Sequence, residues 1–153
     1  VVLGSAAVET PDLVRAISDH FGAQCVVVSI DFRKREDGSF EVCAASGTRA
    51  TGLDPVTFAQ EVEQLGAGEI LLQSVDCDGT MRGYDVDITR RVSKAVSVPV
   101  IASGGAGTYE HLAQAIVEGK AAAVAAASMF HFTEQTPIEA KRYLAGRGIA
   151  VRL

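Results

Sequence analysis

Short, almost wholly apolar runs alternate along this chain with longer stretches in which apolar residues recur every three or four positions. The runs Cys25 to Ile30, Ile70 to Leu72, Val98 to Ala102 and Ala121 to Ala127 predict strands, and the longer stretches predict helices. Each strand-like run closes on a polar or small residue: Asp31, Asp76-Cys77-Asp78-Gly79-Thr80, Ser103-Gly104-Gly105-Ala106-Gly107 and Ser128. The runs are apolar throughout, which predicts a parallel sheet with a core on each face.

The helical stretches carry start and stop signals. Thr10-Pro11-Asp12 predicts a helix with Leu13, Ile17 and Phe21 on one face. Asp54-Pro55 opens a second, with Phe58, Val62 and Leu65 on its stripe and Gly66 or Gly68 at its end. Asp85 or Asp87 opens a third, carrying Ile88, Val92 and Ala95. Thr108 caps a fourth, bearing Leu112, Ala115 and Ile116 and ending at Gly119. Thr136-Pro137-Ile138-Glu139 is a capping box opening a last helix that ends near Gly146 or Gly148. Between Phe32 and Gly52 the chain is polar and long for a strand-to-helix loop, with Asp37-Gly38 as a hairpin turn. The sum is an α/β fold, and chemistry confined to strand C-termini places its site on that rim.

Composition narrows the function. The 153 residues are enough for one domain with a sizeable core; we read residues 1–153 as a single unit. Net charge is −5, and Arg33-Lys34-Arg35 is the one basic cluster, which argues against nucleic acid. Cys25, Cys43 and Cys77 form no metal-type spacing, so neither a disulfide scaffold nor a metal is assigned, and a cytoplasmic setting fits. Cys25, opening an apolar run, reads as a small core residue. Apolar windows are interrupted by Gly, Ser or Asp, so no membrane segment is expected. Val1-Val2-Leu3 reads as the end of a strand already under way, and so as a piece of a longer chain.

The rim residues suggest acid–base chemistry on a phosphorylated ligand. Asp31, ending an apolar run, would be partly desolvated, which raises its pKa and suits proton transfer. The turns Asp78-Gly79-Thr80 and Ser103-Gly104-Gly105 can offer main-chain N–H groups, and Ala127-Ser128 precedes a possible short helical turn, Met129 to Phe132. Together they suit a phosphate, as in barrel enzymes whose anion site follows the last two strands. The same glycines would also serve simple tight turns. Asp76 and Asp78, two apart, would point the same way if the strand persisted. Glu69 lies at the opposite end of its strand, where a charge is structural or meets a partner. His20 and His111 read as surface residues, and His131 could approach the rim.

In order along nearly the whole chain, several segments resemble the cyclase subunit of imidazole glycerol phosphate synthase, an enzyme family of histidine biosynthesis. They are Val26 to Asp31, Gly66 to Leu72, Asp76 to Thr80, Gly83-Tyr84-Asp85, Pro99 to Gly107, Phe130-His131-Phe132 and Val151-Arg152-Leu153. The resemblance implies the C-terminal half of a (β/α)8 barrel, a parallel half-barrel. It implies a lyase that takes ammonia from a glutamine amidotransferase subunit and acts on a substrate bearing two phosphates, with no cofactor. Asp31 matches one of two acid–base aspartates; the other lies on a strand absent here. Asp78 matches a substrate-site acid. Gly79, Gly104, Gly105, Ala127 and Ser128 match a phosphate site, with Thr80 and Ser103 beside it. Glu69 matches a charged residue at the ammonia entrance.

Departures from the pattern are Gly4 for Asn, Ser5 for Thr, Gln73 for Thr and Cys77 for Arg. These, with Thr80-Met81-Arg82-Gly83, keep open a related branch that amidinates sugars of surface polysaccharides. The isomerase of the same pathway shares the barrel, but Gly66 to Leu72 and Phe130-His131-Phe132 fit the cyclase better. Four strands cannot close a barrel, so a half-barrel standing alone would expose two edges and is expected to pair with a second copy. A phosphate-binding half-barrel without turnover is the rival reading.

Overall fold

The computed structural model describes residues 1–152, so Leu153, the last residue of the terminal matching segment, lies outside the described residues. The elements run β1 (Val2–Leu3), α1 (Ser5–Glu9), α2 (Asp12–Phe21), β2 (Val27–Lys34), β3 (Phe40–Ala44), β4 (Arg49–Ala50), α3 (Pro55–Gln64), β5 (Glu69–Ser74), α4 (Val86–Ala95), β6 (Val100–Ser103), α5 (Tyr109–Val117), β7 (Ala123–Val124), α6 (Ser128–Phe132) and α7 (Pro137–Gly146). They build one seven-stranded sheet in the order β4-β3-β2-β5-β6-β7, with β1 also paired to β2. β1, β2, β5, β6 and β7 are mutually parallel; the β2–β3 and β3–β4 pairs are antiparallel. This is a (β/α) half-barrel, and its sheet is not closed.

The helix signals resolve cleanly. The Asp54 carboxylate accepts the N–H groups of Val56 and Thr57, both at 2.9 Å, and so starts α3. At the other end Gly66 N–H donates to Glu63 and Ala67 N–H to Val62, closing the helix with a left-handed Gly66 (φ 101°). Asp85, not Asp87, caps α4. Thr108 caps α5 and Thr136 caps α7. The α7 box is not reciprocal, however: Thr136 N–H donates to the Tyr109 hydroxyl, which itself donates to Glu139. At the end of α5 the left-handed residue is Lys120 (φ 58°). Gly119 is needed for a different reason, because a Cβ there would lie 2.5 Å from the Ala115 carbonyl.

Four expectations are corrected. The helices cover one face of the sheet, not both: burial alternates strictly along β5 and β6 and through most of β2. Val28, Ile30, Phe32, Ile70, Leu72, Val100 and Ala102 are buried under helices. Val27, Ser29, Asp31, Glu69, Leu71, Gln73, Ile101 and Ser103 face outward and stay half-buried. The helix expected from Thr10 is α2, preceded by the short α1; it begins at Asp12, the Thr10 hydroxyl caps nothing, and Val14 is its buried residue. Leu13 is 36% and Phe21 61% exposed. Ile17 and Phe21 instead line an apolar cavity of about 360 Å³ with Val1 and Cys25. Among the described residues no strand pairs with the outer edge of β1, and Ile17 and Phe21 lie beside it. Cys25 is therefore exposed, in a short 3-10 turn, Ala23–Cys25, that delays the strand to Val27. The last strand is two residues long, although the N–H groups of Ala122 and Ala125 still bond to β6 carbonyls.

Core packing falls into two groups. Val14, Val28, Ile30, Phe58, Val62, Ile70, Leu72, Ile88 and Val92 join β2 and β5 to α2, α3 and α4. Ala102, Leu112, Ala115, Met129, Ala140 and Leu144 join β6 to α5, α6 and α7. Each fully buried large side chain contributes roughly 1.5–3 kcal/mol. Among the described residues no helix is long and apolar enough to cross a membrane.

Candidate functional site

The open face of the sheet holds the candidate site. Pairing sets Asp31 beside Gln73 and Gln73 beside Ser103, so three polar side chains form one row across β2, β5 and β6 at the strands' C-terminal ends. Ser29, Leu71, Ile101 and Ala123 form the row beneath. The layering is that of a barrel interior, in which alternate residues of neighbouring strands stack inward. Glu69 shares the opposite end of the sheet with Val27.

Asp31 does not end its strand. β2 continues to Lys34, exchanging the parallel neighbour β1 for the antiparallel β3, with Asp31 in register with Cys43. The hairpin turns at Asp37-Gly38, where Gly38 is left-handed (φ 84°) and Arg35 N–H bonds the Ser39 carbonyl at 2.7 Å. Glu41 is buried beneath the hairpin and accepts from Arg33 and Arg35, each at 2.8 Å. The hydrogen bonds from Arg35 and then Arg33 hold its carboxyl down to about 2. The basic cluster is thus largely spent on an internal carboxylate.

Around Asp31 lies a cavity of about 310 Å³ lined by Ser29, Asp31, Ser46, Gln73, Val75 and Asp78. Desolvation pushes the Asp31 pKa up, the Ser29 hydroxyl pulls it back, and the Asp78 charge raises it again. A second, tighter cavity of about 140 Å³ is lined by Asp78, Ser103, Gly104, Gly105, Ala106, Ala125, Ala126, Ala127 and Ser128. Asp78 stands in the wall of both. The acid and the glycine bend therefore open on one rim, on either side of a single carboxylate.

The glycines of the second cavity are dictated by packing. A Cβ on Gly104 (φ 87°) would lie 2.6 Å from the Ser74 carbonyl oxygen, and one on Gly105 (φ 109°) 2.1 Å from that of Gly83. Gly83 N–H donates to the Gly105 carbonyl at 2.7 Å, and the buried Tyr84 hydroxyl donates to the Ala125 carbonyl at 2.8 Å. The loop after β5 is thus clasped to the loop after β6 and to the end of β7, and that clasp forms the cavity's wall.

Not every expected residue joins the two cavities. Gly79 and Thr80 line neither. The Thr80 hydroxyl turns back to the Cys77 carbonyl at 2.7 Å and braces its own loop. Asp76 and Asp78 diverge, because the strand stops at Ser74 and a turn follows. Asp76 accepts the Lys34 N–H at 2.8 Å and pins the hairpin, while Asp78 faces the cavities. Among the described residues no cluster of His, Cys, Asp or Glu could hold a metal ion. His131 is exposed and lines neither cavity. His111 is half-buried, and its Nδ1 accepts the Gly107 N–H at 3.2 Å.

Ser29, Ser46 and Gln73 were missed as site residues. The strand period could have found Ser29, since Ser29 and Asp31 are two apart and share a face. Ser46 sits in a turn with Ala45 and Gly47, all left-handed, whose place above Asp31 no local pattern announces.

Residues 1–136 match the model of a family described as "Histidine biosynthesis protein". The match spans β1 to α6, every element that frames the two cavities, and the chain belongs to this family of histidine-biosynthesis enzymes with an α/β-barrel fold.

Proposed function

We propose that the chain is the C-terminal half of the ammonia-using cyclase of histidine biosynthesis, with Asp31 as its acid–base residue. One observation carries this reading: Asp31 and the Gly104–Ser128 cavity open on the same rim, with Asp78 between them. A half-buried carboxyl whose pKa is raised by desolvation is better suited than an exposed one to accept and return a proton. The second cavity is small, largely main-chain in its walls and free of apolar side chains beyond alanine, which suits a phosphate group held by N–H donors. Ser103 and Ser128 add hydroxyls there, Gly79 and Thr80 shape the approaching loop, and Asp78 contacts the substrate between the two sites. The substrate carries two phosphates, and this half holds one of them.

Glu69, at the other end of the sheet, would mark the ammonia entrance facing a glutamine amidotransferase subunit. Alone, the chain would pair about a twofold axis, setting two Asp31 carboxylates across one mouth. Both free edges support this. An apolar groove of about 310 Å³ along β7 is lined by Ile116, Val124, Phe130 and Leu144, and the Phe21 cavity flanks β1. Light scattering that finds only a stable, well-folded monomer would remove the pairing. The unclosed sheet also favours a second reading, a phosphate-binding half-barrel without turnover.

One assay separates the readings. The protein is mixed with the phosphoribulosyl-formimino substrate and ammonium salt, and loss of substrate absorbance is followed. Turnover that disappears in Asp31→Asn supports the cyclase. A melting temperature raised by phosphate, with no turnover, supports the binding module.

A further inference from the structure

Among the described residues Asp31 has one side-chain hydrogen-bond donor: the Ser29 hydroxyl donates to Oδ1 at 3.1 Å. The two residues are i and i+2 on β2, project from the open face and line the same cavity. Among the described residues no hydrogen bond reaches Oδ2. We propose that Ser29 is a positioning residue for Asp31: its Oγ–H claims Oδ1 and fixes the carboxyl rotamer, leaving Oδ2 as the oxygen that exchanges a proton with whatever occupies the cavity. This rests on the acid–base reading of Asp31 and adds which oxygen works and what orients it.

The geometry gives the hydroxyl no better role. Ser29 is flanked in its row by Leu71, and no other partner is within hydrogen-bond reach of its Oγ among the described residues. A serine is also a poor choice for a mid-strand position unless its hydroxyl is used, since β-branched and aromatic residues fit a pleated surface better. The groups facing Asp31 from the elements around it are few. β5 contributes neutral Gln73, the loop after β5 contributes Asp78, the β3–β4 turn contributes Ser46, and β3 contributes Cys43 in register. Arg33, next on the same strand face, is engaged by Glu41. Burial and Asp78 both oppose ionisation, and Ser29 is the one neighbour that favours it. Removing the hydroxyl must leave the carboxyl freer to rotate and harder to ionise.

The test is a carbon-13 NMR titration of the Asp31 carboxyl in the full chain, assigned with Asp31→Asn, in wild type, Ser29→Ala and Ser29→Thr. Ser29→Ala is expected to move the midpoint upward, and Ser29→Thr, which keeps the hydroxyl on a good strand former, to leave it near wild type. An unmoved midpoint in Ser29→Ala, or an equal shift in both variants, would overturn the proposal. The cyclase assay is run in parallel. There Ser29→Ala should move the acidic limb of the rate profile upward, with a loss of about tenfold or less, short of the 10²–10⁴ expected of the acid–base group itself. A midpoint that moves while the rate profile does not, or while no turnover exists, leaves Ser29 as the orienting group and removes Asp31's catalytic assignment instead.

Discussion

Along β2, β5 and β6 the even-numbered and odd-numbered positions obey different rules. Val28, Ile30, Phe32, Ile70, Leu72, Val100 and Ala102 lie under the helices and are apolar; Ser74 is the one buried polar residue on that side, and Lys34, at the end of β2, is exposed. Val27, Ser29, Asp31, Glu69, Leu71, Gln73, Ile101 and Ser103 lie on the open face, and half of that set or more is polar or charged. One face holds the half-barrel together; the other carries the polar residues of the candidate site. Because the strand period is two, a substitution at one position reaches one face only. Stability and function can therefore be changed separately by stepping a single residue along the chain.

The sharpest break of that comparison is Asp31→Asn. Turnover should fall by about 10²–10⁴. Stability should move the other way. The folded Asp31 pKa is raised, so its contribution to folding is present below the unfolded carboxylate range and is lost as pH climbs through the folded value. At neutral pH the ionised group is a cost that Asn removes, so thermal melting of the variant should be equal or higher at pH 7, with any advantage gone in acid. A lower melting temperature at pH 7 would mean that the open face also holds the fold.

One position away from an odd residue, Ile70→Ala should cost about 2–5 kcal/mol in denaturant unfolding, as cavity-forming core substitutions do. In the unpaired half-barrel, at low protein concentration, the neighbour Leu71→Ala on the open face should cost well under half as much. Where two copies pair, the Leu71 loss should rise toward the Ile70 loss; equal losses at every concentration would show that the open face is covered without pairing.

Gly105→Ala tests the clasp between the loops. Its Cβ would meet the Gly83 carbonyl at 2.1 Å in a left-handed backbone, so the loops must part. A loss of about 1–3 kcal/mol is expected from the strain, together with loss of any phosphate-induced rise in melting temperature. Retained phosphate stabilisation would place the anion elsewhere.

The smallest effect belongs to the hairpin. The Glu41 pKa is lowered to about 2, so its contribution is present above the ordinary carboxylate value and is lost as pH falls from about 4.5 toward 2. Glu41→Gln should therefore melt earlier than wild type at pH 7, and the gap should close across that acid window. A gap independent of pH would assign the effect to packing instead of charge.

How far the chain could be read from its sequence divides along the same line. Helix starts were legible because Asp54, Asp85, Thr108 and Thr136 act through bonds to residues two or three positions on. The Asp37-Gly38 turn was legible for the same reason. What required distant partners was not. The apolar runs suggested two covered faces, because Leu71 and Ile101 are as apolar as their buried neighbours; only the missing second layer distinguishes them. Leu13 and Phe21 looked like core for the same reason, yet both are exposed and Phe21 lines the cavity beside β1. At the site, placing Asp31, Gly104, Gly105 and Ser128 on one rim needed only the apolar runs they follow, although β2 itself continues past Asp31 to Lys34. The divergence of Asp76 from Asp78 depended on the Lys34 N–H, forty-two positions earlier. Gln73 became visible only through its register between Asp31 and Ser103.

The direct test of a shared mouth is a phosphate titration followed by amide nitrogen–proton NMR. Inorganic phosphate should shift the N–H signals of Gly104, Gly105, Ala127 and Ser128 in a saturable way, and with them those of Asp78 and Asp31. Shifts confined to Arg33, Lys34 and Arg35 on the hairpin, or none that saturate, would contradict the account.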